Sequence, residues 1–466
     1  MFNQFIKTSI GFTLGYFISK ALNLIIVFLI IRFLDPKLFA EFDLLLTYAL
    51  FGALVIMFSI DAAVARFIHD SSLSKQLYIT NGFVFFHVVF VFSIIIFFCT
   101  SNYLPEIKVL NKFFHQFILL VYLNALGNLI SSILRNLFRI RQFLFFLLFP
   151  SISNLTGVLF LFYFNTIDVT NYLYLIITTS FVSSIVGIFF LKKEFILSFD
   201  LNIIGELLKY STPIYLAIFL VKITPVFQKT YIETISLSLL AIYSFSTKFM
   251  IFFSTFNQSI YSFIIPYAFK NYELPNFKKN FNDAFNFSLA FFFSLLIILS
   301  VVLPYFINSF FEKIYLGSLK YIFILSIPLC LELCYLFLSV HFGLSKKTKY
   351  YFLNDIVYFI SFLIGLYFFA ENTIESIILP VILASTLKLL SSILVQIGKN
   401  TFYVYWNFIL TLILFLVYSL FNYYYYDFSS KYSIMIISIS FFVLILFLNR
   451  KYFSRFKSLI EQNIAQ

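Results

Sequence analysis

Residues 9–33 read SIGFTLGYFISKALNLIIVFLIIRF, and residues 210–231 read YSTPIYLAIFLVKITPVFQKTY. Each run is apolar and long enough to cross a bilayer as a helix. Each also carries a lysine deep inside it, Lys20 and Lys222, about 15 Å of helix from either end. An ammonium there costs roughly 3 kcal/mol even on the gentlest insertion scale. The two runs align at an offset of 202, pairing Lys7 with Lys209, Ser9 with Ser211, Phe17 with Phe219 and Lys20 with Lys222. A second alignment, Ala40-Glu41-Phe42 with Ala241-Ile242-Tyr243, falls at an offset of 201. The pattern predicts a duplicated membrane protein with a cationic interior, a property suited to moving something negatively charged. Both halves enter from the same side, so the repeat is parallel, with its pseudo-axis along the membrane normal.

The rest of the chain fits that frame. Hydrophobic residues make up 62% of the 466 positions and charged residues 11%, whereas a soluble chain carries about 25% charge. Apolar runs recur near 9–33, 40–62, 78–100, 114–134, 143–164, 171–191, 210–231, 239–262, 284–305, 321–341, 350–370, 376–397, 402–422 and 432–449. The expected fold is an all-α polytopic membrane protein with fourteen spans, twelve being the alternative. It comprises two six-helix lobes, 1–191 and 209–400, joined by a linker over 192–208. A helix pair and tail follow over 401–466. A β-barrel would alternate polar and apolar residues over short segments, and these runs do not.

With fourteen spans, 20 of the 32 Lys and Arg residues fall on the side that holds the termini. That bias places both termini in the cytoplasm. It also accounts for most of the net charge of +12 without a nucleic-acid partner. No cofactor is implied. Cys99, Cys330 and Cys334 lie in or beside apolar runs and read as small buried residues, not as a metal site. The chain lacks the HExxH, Walker A and GxSxG signatures of enzymes, so a transporter is expected, driven by an ion gradient, the membrane potential or its substrate's own gradient.

The candidate cationic set is Lys20, Lys222, Lys248, Lys388 and Arg66. For each, the alternative is snorkelling, in which the stem lies in lipid and the charge reaches the headgroups. Lys229 and Arg32, nearer span ends, fit either reading. Lysine is a compact charge suited to phosphate oxygens. Asp61 and Glu332 are the candidates for coupling to H⁺ or Na⁺, because an intramembrane carboxylate is a default relay group; a protonated or lysine-paired structural role is the alternative for Glu332. Pro213 and Pro225 bracket Lys222 and mark possible kinks. Gly11 and Gly15 form a GxxxG motif that favours close helix packing. Tyr423–Tyr426 reads as an interfacial aromatic belt.

Three stretches carry a resemblance. Leu34-Asp-Pro-Lys-Leu-Phe-Ala-Glu-Phe-Asp43 resembles the turn after helix one of polysaccharide transporters, with Ala40 where glycine is usual. Ser59-Ile-Asp-Ala-Ala-Val-Ala-Arg-Phe-Ile68 resembles their helix-two ending, and Leu207-Leu-Lys-Tyr-Ser-Thr-Pro-Ile-Tyr-Leu216 their helix-seven entry. The chain thus resembles Wzx-type O-antigen or polysaccharide flippases of the MOP (MATE-like) superfamily. The resemblance implies two lobes around a cavity open alternately to each side of the bacterial inner membrane. It implies export of an undecaprenyl-diphosphate-linked oligosaccharide, contact with membrane lipids and work alongside polysaccharide polymerase machinery. It places Lys20, Asp61, Arg66 and Lys248 at positions matching motif or cavity residues, and makes the last two spans an appended pair. Alternatives are a lipid II flippase, a MATE-type multidrug exporter, whose cationic cargo prefers an acidic cavity, and an O-antigen polymerase or ligase, which needs larger outer loops than these.

Overall fold

The computed structural model describes residues 2–68, 74–100, 108–196, 198–272, 274–275, 277–344, 349–369, 371–397, 406–425 and 437–450. Among them the chain is helical, with no strand. The helices are α1 (Phe2–Phe33), α2 (Pro36–Met57), α3 (Ile60–Phe67), α4 (Lys75–Thr100), α5 (Lys108–Lys112), α6 (Phe114–Asn136), α7 (Ile140–Tyr163) and α8 (Val169–Leu191). They continue with α9 (Leu201–Ile235), α10 (Leu237–Asn271), α11 (Phe277–Phe310), α12 (Ser318–Leu344), α13 (Lys349–Phe368), α14 (Glu375–Ile397) and α15 (Trp406–Tyr425), and end with α16 (Ile437–Arg450). Thirteen of the fourteen expected runs each overlap one helix, and the run over 40–62 falls on two. Among the described residues, eleven helices are long and apolar enough to cross a membrane, and two shorter apolar ones follow.

The caps follow from local chemistry. Asp35 accepts a hydrogen bond from the Lys37 amide at 2.8 Å, and Pro36 opens α2, where its missing N–H costs nothing. Asp168 caps α8 and Asp200 caps α9 in the same way, satisfying amides that the first turn leaves unpaired. The run expected over 40–62 is not one helix. Phe58 and Ser59 both adopt left-handed backbone, with φ of 49° and 53°, and split it into α2 and α3. Non-glycine residues rarely adopt that conformation, and neither residue announces a break by type.

Two compact units emerge, Met1–Ser238 and Leu239–Gln466. The lobes drawn from the repeat divide instead at 192–208. The difference comes from α9, which packs on α2, α3 and α4. Its base is tied down as well. The Asn81 side chain accepts from the Asp200 amide at 2.9 Å, Thr80 accepts from the Ile196 amide at 3.1 Å, and Gln76 donates to the Lys193 carbonyl at 3.0 Å. Tyr78 adds a hydrogen bond to Glu206 at 3.2 Å. The expected linker is therefore strapped to α4, and its last eight residues already belong to α9.

Within the first unit, α1 lies on α7. A Cβ on Gly15 would come within 2.2 Å of Leu144 Cδ2, so this half of the GxxxG motif serves close packing; the Gly11 side of the motif is outside the described side chains. The Ser19 and Ser151 hydroxyls meet at 2.8 Å across the same pair. In the second unit, α12 is the most enclosed of the long helices, packed by α11, α14 and α15. Tyr418 of α15 bonds Ser300 of α11 and, at 2.8 Å, Ser438 of α16. Asn449 donates to Thr411 at 3.2 Å, so α15 and α16 are joined at both ends and held to α11. Cys330 and Cys334 are buried and Cys99 is exposed.

Helix α13 rests on α14 through Gly365, where an added Cβ would sit 2.9 Å from Pro380 Cα. A backbone atom cannot step aside as a side chain can. Gly365→Val should therefore cost about 1–3 kcal/mol, read as a lower thermal midpoint in detergent. Gly205→Ala, with nothing within 4 Å of the new methyl, should leave that midpoint unchanged or raise it slightly.

Candidate functional site

Lys20 on α1 and Lys222 on α9 each lie thirteen residues before the last residue of their helix. At 1.5 Å per residue that is about 20 Å from the helix end, so the two cations hold matching positions along their helices. Both side chains are exposed, although protein crowds round Lys20. Both lie in the first unit, near enough for each ammonium to feel the other's charge. Neighbouring like charges repel, and the repulsion grows as the surroundings become less polar. An arrangement of this kind is relieved by an anion between them. Pro225 has no N–H to give the Val221 carbonyl, so that carbonyl, one residue before Lys222, has no helical partner.

Several other charges of the unit are paired. Lys229 is 8% exposed and Asp43 1%; they form a buried ion pair between α9 and α2. Thr47 accepts a second hydrogen bond from Lys229 at 2.7 Å, and Tyr48 and Thr230 bond alongside at 2.8 Å. Lys229 therefore points into protein and does not snorkel. Glu41, just before Phe42 and Asp43 in α2, accepts from Lys112 at 2.7 Å. Asp61, in the first turn of α3, lies in the field of Arg135 on α6, and its carbonyl accepts from Ser132 at 3.2 Å. Arg66, at the other end of α3, is exposed.

From the Lys229 tie, α9 runs antiparallel to α2 and α3 along a seam of rings. Phe51 lies 5.4 Å from Phe219, Phe219 lies 5.7 Å from Tyr215, and Tyr215 stacks on Phe58 at 4.2 Å. All four rings are half-buried. Tyr215, Phe219 and Lys222 are spaced by four and three residues, so they share one face of α9. The sequence shows these aromatics, but in a chain with 71 Phe and 32 Tyr nothing in the letters singles them out.

In the second unit, Lys248 is half-buried on α10 and Glu332 is exposed on α12; neither lacks a partner. Lys388 donates to Asp355 at 2.6 Å across α14 and α13. It also lies 4.2 Å from the Tyr335 ring and 5.6 Å from that of Tyr358, where the ring face attracts a cation. Next to it Ser391 donates to Asn354 at 2.7 Å. Asp355 was not among the residues singled out, although a carboxylate inside the 350–370 run was signal enough. Glu375 is a second node, accepting from Tyr321 at 3.2 Å and Tyr423 at 2.8 Å, with Lys320 at 3.6 Å. Tyr423 is thus a hydrogen-bonded member of the proposed aromatic belt; Tyr426 lies outside the described residues.

The architecture has close relatives among solved structures. The lipid II flippase MurJ in an inward closed conformation superposes with a TM-score of 0.69 at 19% identity, covering 97% of this chain and 100% of that one. The chain shares the fold of that flippase. An inward-facing multidrug-resistance MATE transporter matches at a TM-score of 0.62 and 12% identity, over 83% of this chain and 96% of its own. A MOP transporter from Pyrococcus furiosus, described as having a binding pocket of reversed polarity, matches at 0.59 and 13% over 85% and 96%. No protein-family model matches the chain, and no curated protein sequence does.

The buried pair gives a prediction. Lys229→Met strands the Asp43 carboxylate in protein and should destabilise the fold by about 3–5 kcal/mol. The double substitution Asp43→Leu with Lys229→Met removes both charges and should recover most of the loss. Thermal denaturation in detergent reads both, and a double variant no better than the single would refute the pairing.

Proposed function

We propose that this chain is a flippase that moves a diphosphate-bearing, lipid-linked oligosaccharide across a membrane by alternating access. The observation that carries the proposal is the Lys20 and Lys222 arrangement: two exposed ammonium groups in one compact unit, each thirteen residues before the end of its helix, with the charge of Lys222 acting on Lys20. The substrate class follows from charge. Two phosphates offer several oxygens to two compact cations, and the polyprenyl tail remains in lipid while the sugar and phosphate cross. The MOP fold supports transport over catalysis, and its match to a lipid II flippase supports a lipid-linked cargo.

Within this reading the cargo is an undecaprenyl-diphosphate-linked O-antigen or capsule unit. The membrane is the bacterial inner membrane, and both termini are cytoplasmic. Arg66, exposed at the end of α3, extends the cationic surface of the first unit, and Lys248 is the candidate cation of α10 in the second. Lys388 already has Asp355 as its counter-charge, so it offers an anion less than Lys20 does. Asp61 and Glu332 remain the groups through which H⁺ or Na⁺ would couple. One second reading has specific support: the 0.69 superposition on MurJ over the full length of that chain favours lipid II itself as cargo. A multidrug exporter of organic cations is disfavoured by two uncompensated lysines in the candidate site.

Each ammonium–phosphate contact is worth about 1.5–3 kcal/mol, so its loss weakens binding roughly tenfold or more. Lys20→Gln with Lys222→Gln should therefore abolish surface-polysaccharide export in a deletion strain, and lipid-linked intermediates should accumulate on the inner leaflet. Unchanged export from a normally inserted double variant would defeat the proposal. Rescue of a peptidoglycan-export defect by the wild-type gene would instead select lipid II.

A further inference from the structure

The ring seam between α9 and α2/α3 has three properties that helix packing alone does not require. First, its rings are half-buried, while the Asp43 and Lys229 pair on the same seam is buried. The seam is closed at the ion pair and open along the rings. Second, Phe58 is held in left-handed backbone, a conformation that costs about 1 kcal/mol or more for such a residue. That backbone sets its ring against Tyr215 at 4.2 Å. Third, the row ends beside a charge, because Phe219 and Lys222 share a face of α9, and Lys222 is exposed.

Partly exposed aromatic rings beside a cation are suited to a carbohydrate joined to a phosphate. A ring face carries partial negative charge. The C–H groups on one side of a pyranose carry partial positive charge and present a flat apolar surface, so the two stack while the hydroxyls stay in water. We propose that Phe51, Phe219, Tyr215 and Phe58 form a stacking track for the sugar rings of the cargo. The inference rests on the proposed function, in which Lys20 and Lys222 hold the diphosphate. The track spans about 10 Å along α2, from Phe51 to Phe58, enough for more than one sugar ring. Stacking reads ring faces and not particular hydroxyls, so the track would accept sugar units of varied identity while the lysines fix the phosphate end.

The test uses the full chain in detergent and two short-tailed probes, farnesyl diphosphate and farnesyl diphosphate carrying one N-acetylglucosamine. The glycosylated probe should bind about tenfold tighter to the wild type. Tyr215→Leu with Phe219→Leu should bring the two probes to parity while leaving farnesyl diphosphate binding unchanged. Phe219→Tyr should keep the preference. Equal binding of both probes to the wild type overturns the track alone and leaves the cationic site standing; this arm does not depend on any variant folding. A preference that persists in the folded leucine variant also overturns the track. Failure of both probes to bind overturns the proposed function and the track with it.

Discussion

An ammonium group gives up its water only when something else surrounds it, and this chain supplies that something in different ways. Lys229 receives a carboxylate and a hydroxyl and disappears between α2 and α9. Lys388 receives Asp355 and two tyrosine rings. Lys20 and Lys222 are set apart: they remain exposed, and the charge recorded against Lys20 is the like charge of Lys222. Pairs of the first kind hold helices in register, because breaking one leaves a buried charge without compensation. The second arrangement sets two like charges near each other, a situation that a bound anion would relieve. The contrast separates lysines that serve the architecture from those proposed to meet a ligand.

Much of the architecture was legible in the letters, because the bilayer makes the helix the default and apolar run length marks each one. The aligned lysines were legible for the same reason: a charge in such a run stands out against its apolar neighbours. Two kinds of feature were not. The break at Phe58 and Ser59 involves neither Gly nor Pro, so residue type does not announce it. The ion pairs were hidden by distance along the chain: Asp43 and Lys229 are 186 residues apart. Lys388 was legible as a deep cation, while Asp355, which answers it, was overlooked.

The repeat and the compact units describe different things. The repeat records how the two halves correspond, and by it α9 opens the second half. Contacts record what α9 touches, which is α2, α3 and α4. Helix α9 therefore packs with α2, α3 and α4 although the expected repeat counts it in the second half. Lys20 and Lys222, matched by that expected repeat, lie within one compact unit, where the proposed function gives them one anion to share.

The strap from Lys193 to Asp200 bears on how α9 can move. Four side chains of α4 (Gln76, Tyr78, Thr80 and Asn81) fasten the strap and the first turns of the helix. In mechanical terms α9 is a beam clamped at its base, not a rod on a pivot. A clamped beam moves its far end by bending, and the compliant points along this one are Pro213 and Pro225, where ladder bonds are missing. Lys222 sits between those two joints, so flexure of α9 would shift that cation while the base stays fixed to α4.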